Sequence, residues 1–322
     1  MPLQSPTDCP VLQVPQVLTR LSLSRRSTLT LLGAFLADAT LPATLHAAPN
    51  PDWTTPLQPF RIAGNLYYVG SRDLASYLLT TPQGHILINS NLISSPPQIR
   101  ASVEKLGFHW KDVKILLISH AHFDHCAGSA QIKRETGAQY LVMDADVSVV
   151  ESGGRTDFHY SRDASMHFPP AKVDHALHDG EQVRLGDSVL TAHKTAGHTK
   201  GCTTWTMQLH EGNRALNTVI VGSPNVLDDY NLTREPNYPN MAADFQQQFQ
   251  TLKALPCDIF LGSHGISFNL LAKVARQQAG AKDAFAQNPF IDPAGYKSYI
   301  ADRQQAFEKE LAKQKKAHPA NS

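Results

Sequence analysis

Val113-Lys-Ile-Leu-Leu-Ile-Ser119 runs directly into His120-Ala-His122-Phe-Asp124-His125. The first part is a short apolar run rich in β-branched residues, which predicts a buried strand. Its end carries four side chains able to bind a metal. His120 and His122 are two residues apart, so in an extended segment they point the same way. Asp124 and His125 follow where the chain turns into its next element. Imidazole and carboxylate donors suit zinc best, with iron and manganese as weaker fits. A polar surface loop is the plain alternative. It is disfavoured because three histidines and an aspartate at the end of a core strand place costly polar groups at a sheet edge for no structural gain. Asp124 beside His125 points to two ions, since adjacent side chains can hardly converge on the centre that the first pair serves.

These residues carry a resemblance. His120-x-His122-x-Asp124-His125 resembles the signature of the metallo-β-lactamase superfamily. Ala196-Gly197-His198-Thr199 and Gly262-Ser263-His264-Gly265 follow in the order that signature requires. The likeness runs from about Trp53 to the last helix. It implies an α+β fold, the four-layer αβ/βα sandwich, in which two mixed β-sheets flanked by helices hold metals at one edge. It also implies a ligand set: His120, His122 and His198 on one zinc, and Asp124, His125 and His264 on a second. Between the zincs the family holds a hydroxide, which Asp124 both orients and helps to ligate.

One position separates the relatives. Many superfamily hydrolases place a metal-bridging aspartate between the His198-like and His264-like ligands, and other β-lactamases place a cysteine there. Subclass B3 has serine, and here Val219-Ile-Val-Gly-Ser223 ends in serine. The resemblance implies that Ser223 holds the substrate carboxylate with a neighbour, Asn225, and that Tyr230 lines the same wall. Ser223 is otherwise a strand-end hydroxyl capping a turn, and Asn225 a turn residue beside Pro224. Asp228 and Asp229 are poor bridging candidates because they lie in the loop beyond. The implied activity is hydrolysis of the β-lactam amide of penicillins, cephalosporins and carbapenems, with the lactam as the small-molecule partner. The alternative is a dinuclear-zinc hydrolase of a lactone, thioester or other ester.

Composition agrees with a globular enzyme. The 322 residues are 42% hydrophobic and 18% charged, enough for a sizeable core. Ser24-Arg25-Arg26-Ser27 precedes a modestly apolar run ending at Leu45, with small residues at Ala47 and Ala48. This pattern predicts a signal peptide over residues 1–48, and the arginine pair ahead of a weak apolar segment resembles a twin-arginine export signal. The expected location is the periplasm. Residues 49–322 are then expected to form one domain and a monomer. Without the first 47 residues, 26 basic and 26 acidic residues remain. Nothing there argues for nucleic acid, and no apolar run in the body of the chain is long enough to span a membrane.

The rest of the chain reads in order. Residues 49–62 form a Pro-rich arm. Short strands are expected at 66–69, 77–80, 85–89, 139–143, 182–185, 188–193, 202–209, 217–222 and 258–262. Helices are expected from Ser95 to Gly107, Gly128 to Gly137, Met241 to Leu255, Leu270 to about Ala286, and through Tyr296, Ile300, Phe307 and Leu311. Residues 153–173 read as a long loop whose histidines serve hydrogen bonds rather than metal. Cys126, Cys202 and Cys257 remain after the leader, an odd number for an oxidising compartment. A Cys126–Cys202 disulfide is left open. In the subclass, a cysteine at position 257 pairs with a later one, and this chain has none.

Overall fold

The computed structural model describes residues 50–280 and 288–317. The expected signal peptide lies outside them. Strands β1 (Phe60–Ala63), β2 (Leu66–Tyr68), β3 (Tyr77–Thr81), β4 (Gly84–Ile88), β5 (Val113–Leu117), β6 (Gln139–Met143) and β7 (His175–Leu177) form a seven-stranded sheet in sequence order. It is antiparallel from β1 to β4 and parallel from β4 to β7. The second sheet has the order β12 (Ile259–Gly262), β11 (Arg214–Val221), β10 (Thr203–Glu211), β9 (Ser188–Lys194), β8 (Gln182–Leu185). Only its β11–β12 pair is parallel. Both sheets are therefore mixed, and helices flank them as the resemblance implied.

The parallel ladders explain the apolar run that opens the motif. A strand covered on both faces needs nearly continuous apolar residues. In β5, Ile115 and Leu117 pack into the core between the sheets, while Leu116 joins the core under the helices α1 (Pro96–Lys105) and α3 (Ser129–Thr136). Ile99 and Val103 supply the buried stripe of α1, and Ile132 that of α3. Beyond the second sheet, Phe245, Phe249 and Leu252 of α5 (Met241–Ala254) meet Tyr296, Ile300 and Phe307 of α7 (Pro293–Ala317).

Several expectations need correction. The arm at 49–62 is not wholly irregular: residues 60–62 belong to the edge strand β1, which has a bulge between Arg61 and Ala63. Two further short elements appear, α4 (Val147–Ser152) and β7. A three-residue edge strand carries too few residues for an alternation to be read. The helix expected from Leu270 to about Ala286 ends earlier: α6 spans Leu270–Gln278, and Gly280 has φ +61°. The remainder of that expectation falls on residues outside those described. Ser95 precedes α1, yet its side chain makes no capping hydrogen bond. Cys126, Cys202 and Cys257 are all unpaired. Burial holds the Cys126 thiol well above its usual range and pushes Cys202 up to about 12.

Candidate metal centre

Three strand ends deliver the donors. β5 stops at Leu117, and the next five residues bend so that the rings of His120 and His122 meet edge to face, 4.9 Å between centroids. Two braces shape this bend. Asn89, at the end of β4 with φ +68°, accepts from the Ser119 amide at Oδ1 (2.7 Å) and donates from Nδ2 to Ser119 Oγ (3.0 Å). From the other sheet, the Thr203 amide donates to Ser119 O (2.7 Å) and Trp205 Nε1 to Ile118 O (3.1 Å). The short helix α2 (Phe123–Cys126) then presents Asp124 and His125 on its first turn. His198 comes from the loop between β9 and β10, and His264 follows β12.

The six side chains predicted as ligands come together. Ring centroids of His198 lie 4.7 Å from those of both His120 and His122. The donor atoms of these three lie within 4.8 Å of one another. His120 also reaches the second group, its ring 4.4 Å from that of His125. In that group, Asp124 Oδ2 stands 3.2 Å from His125 Nε2 and 3.3 Å from His264 Nε2, and the two imidazole nitrogens are 3.2 Å apart. Donors about 2.0–2.1 Å from a tetrahedral zinc stand about 3.3 Å from each other, so this triangle already has the size a bound ion needs. His120 Nδ1, His122 Nε2 and His125 Nδ1 are buried polar atoms without a hydrogen-bond partner. The donor set fits metal.

The outer contacts aim two of the rings. His198 Nδ1 donates to the Asn225 main-chain carbonyl (2.8 Å), and His264 Nδ1 to Asp73 Oδ2 (3.1 Å). Each leaves Nε2 facing inward, the arrangement that raises ligand basicity and fixes the tautomer. Asp73 is itself held by the Trp53 indole (3.0 Å) and the Ile266 amide (2.9 Å). A second buried carboxylate, Asp146, joins the two histidine-bearing loops. It accepts from the Ala121 amide (2.9 Å) and Thr199 Oγ1 (2.8 Å) at Oδ2, and from the Gly201 amide (2.8 Å) at Oδ1. A Cβ on Gly201 would stand 2.6 Å from the Asp146 Cγ, so glycine is required for this approach.

Charge states favour coordination. Burial holds His120 well below its ordinary range, His122 down to about 4, and His198, with the neighbouring His122 adding to the effect, down to about 3. These rings are neutral at physiological pH, as ligands must be. For Asp124, burial opposes ionisation, but His125 and His264 outweigh it and hold the carboxyl well below its usual range. His264 is the exception. Burial opposes its charge, yet hydrogen bonds to Asp124 and Asp73 raise it to about 9. A cation bound at this group displaces that proton.

The remaining predicted residues lie close by. Ser223 is buried two residues past β11, and its Oγ accepts from Asn225 Nδ2 at 3.4 Å. Tyr230 is only 2% exposed, and its hydroxyl donates to the His198 main-chain oxygen (2.7 Å), so it braces the wall from behind. Asp228 and Asp229 are exposed, and Asp229 pairs with His159 at 2.8 Å. His167 bonds the Ser161 carbonyl (3.1 Å), so both loop histidines serve local contacts. Asp73, Asp146, Asn89 and the Asn225 carbonyl went unread in the sequence. None sits in a motif, and only tertiary contacts give them a role.

The family model of the metallo-beta-lactamase superfamily matches residues 74–210. The native FEZ-1 metallo-beta-lactamase from Legionella gormanii is 53% identical, with a TM-score of 0.79 over 81% of this chain and 98% of that one. BJP-1, a subclass B3 metallo-beta-lactamase of Bradyrhizobium japonicum, is 37% identical, with a TM-score of 0.76 over 83% and 98%. The chain belongs to the metallo-β-lactamase superfamily, and its centre binds metal. Within the superfamily it is most like subclass B3. A curated relative, a UPF0173 metal-dependent hydrolase of Anaeromyxobacter dehalogenans, is 29% identical over 166 residues, 50% of this chain and 55% of that protein. The chain thus spans about half the length of the curated relatives it matches. Among the described residues, no helix is long and apolar enough to cross a membrane.

Proposed function

We propose that this protein is an exported zinc β-lactamase of the B3 type, hydrolysing the lactam amide of penicillins, cephalosporins and carbapenems and so conferring resistance to them. One observation carries the reading: six converging donors in a chain 53% identical to a metallo-β-lactamase along 98% of that enzyme. His120, His122 and His198 hold one zinc, and Asp124, His125 and His264 hold the other. Bound zinc supplies Lewis acidity and a water acidic enough to ionise near neutral pH. Asp124 orients that water by accepting its hydrogen bond. Asp73 keeps the His264 Nδ1 proton in place, and the Asn225 carbonyl does the same for His198. Ser223 and the Asn225 amide donate to the lactam carboxylate, an interaction that an aspartate at 223 would turn into repulsion. Tyr230 keeps the His198 loop in register.

The export signal at residues 1–48 belongs to this proposal, as do the single mature domain at 49–322 and the monomer. Arg25→Lys with Arg26→Lys should block export, and normal periplasmic levels of that variant would leave only the general secretory route. The curated relatives are described only as metal-dependent hydrolases, a description that a second reading, cleavage of a lactone, thioester or other ester, also satisfies. The test is zinc-loaded mature protein on a penicillin, a cephalosporin, a carbapenem, a lactone and a thioester, each with and without chelator. The proposal expects the lactams to have the highest kcat/KM. A lactone or thioester far ahead of every lactam would replace it with the second reading.

A further inference from the structure

We propose that a cavity of about 800 Å³ beside the metal centre is a subsite for the anionic tail of a ligand, with Arg303 as its counterion. Its walls are the segment after β11, the turn after His264, and one side of α7. Two of its lining residues, Asn225 and Ser267, also touch the ligands His198 and His264, so the cavity borders the metal centre. Asn225, whose carbonyl fixes His198, forms one end. Ser267, whose amide bonds the His264 carbonyl at 3.1 Å, forms the same end from the other side. Tyr299 links this end to the helix through its hydroxyl, 3.2 Å from Ser267 Oγ.

Arg303 stands one turn further along α7, its guanidinium 5.9 Å from the Tyr299 ring centroid. The aromatic face holds it in place without neutralising it. Among the described residues it has neither ion pair nor hydrogen bond, and its Nε is buried without a partner. Two carboxylates share the cavity wall, and neither serves it. Glu310 is engaged by Lys313 at 3.0 Å and by Gln314 at 3.0 Å. Asp228 is exposed at the mouth, where solvent screens it. An unpaired guanidinium presents a planar fork that matches a carboxylate or sulfonate.

Part of the cavity wall is apolar. Val226 and Leu227 line it, and Ile266 is 80% exposed at its edge, one of two large apolar side chains so exposed among the described residues. The geometry therefore suits a ligand with a metal-binding head, an aliphatic stem and a terminal anion. On the reading proposed above, which this statement rests on, the substrates so favoured are β-lactams whose acyl side chain ends in a carboxylate.

The test needs no lactam. Thiols bind divalent cobalt and give a thiolate-to-metal absorption band. Cobalt-loaded wild type, Arg303→Gln and Arg303→Lys are titrated with ω-mercaptoalkanoic acids of increasing chain length and with the matching amides. In wild type, the acid should bind more tightly than the amide by about tenfold once the chain is long enough, as a charge-assisted contact provides. Arg303→Gln should abolish that preference, Arg303→Lys should keep part of it, and the shortest thiols should bind all three proteins alike. No acid preference in wild type, or the same preference in Arg303→Gln, would overturn the subsite. Failure of every thiol to bind would overturn it too, by removing its anchor. A protein that shows the chain-length effect but hydrolyses no lactam would keep the subsite and lose the lactamase.

Discussion

Replacing Asp146 by asparagine tests how the two histidine loops are held together. The carboxylate accepts three hydrogen bonds, two of them from backbone amides that approach different oxygens. Asparagine offers one oxygen and one NH2. In either orientation, the NH2 meets the Ala121 or the Gly201 amide, donor against donor. A buried donor left unmet costs about 1–3 kcal/mol. Part of that cost falls on the metal, because Ala121 lies between His120 and His122, and Thr199 and Gly201 follow His198. Loss of an outer contact of this kind weakens metal affinity about 10–100-fold, or about 1.4–2.7 kcal/mol. Asp146→Asn should therefore release metal from the three-histidine site before the Asp124–His125–His264 site. Gly201→Ala should do the same, because its Cβ would stand 2.6 Å from the Asp146 Cγ. The assay is competition with a chromophoric chelator, alongside thermal unfolding of the metal-free protein. If Asp146→Asn lowers only metal-free stability and leaves both metal affinities unchanged, the carboxylate is a structural strut and the reasoning fails.

Three further outcomes follow from other contacts. Asp73→Ala removes the acceptor on His264 Nδ1, so zinc affinity at the Asp124–His125–His264 group should fall about 10–100-fold, read by equilibrium dialysis. Lys273 is 4% exposed, with Nζ 2.9 Å from Asp292 Oδ2. Asp292→Asn alone should destabilise by about 3 kcal/mol in denaturant melts, and adding Lys273→Met, which suits the Phe260 and Phe268 rings, should recover most of it. Burial raises the Asp292 carboxyl, but Lys273 and the Gly295 amide outweigh it and lower the pKa on folding. Its contribution is thus full above the unfolded carboxylate value and lost as pH falls through the folded one, so Asp292→Asn should flatten the acid limb of the stability curve below about pH 4. Ser223→Asp should keep its zinc yet lose carbapenem turnover about 100-fold, or about 2.7 kcal/mol, and wild-type kinetics in that variant would remove Ser223 from the substrate site.

The ligands were legible because the motif's chemistry and its local structure agree. An apolar run too short for a helix ended in metal donors, and the strands read at 188–193 and 258–262, now β9 and β12, stood just ahead of the two later histidine motifs. What stayed hidden acts through space. Asp73 lies 191 residues from His264 and Asp146 lies 55 from Gly201 in sequence, so no spacing could pair them. Asn225 was read for its side chain, whereas its main-chain carbonyl holds His198. Tyr230 was read as a wall residue, and its hydroxyl is committed to the backbone behind that wall. The short elements β1, β7 and α4 depend on neighbours to exist and carry little pattern of their own.

If the proposal holds, this six-donor centre, filled with zinc, hydrolyses β-lactams. The most direct measurement is the rate of carbapenem hydrolysis by metal-free mature protein as zinc is added. Activity should be absent without zinc, rise to saturation at two equivalents per chain, and be lost on adding chelator. Full activity in chelator, or no hydrolysis at any zinc level by a folded protein that has bound the metal, would contradict the proposal.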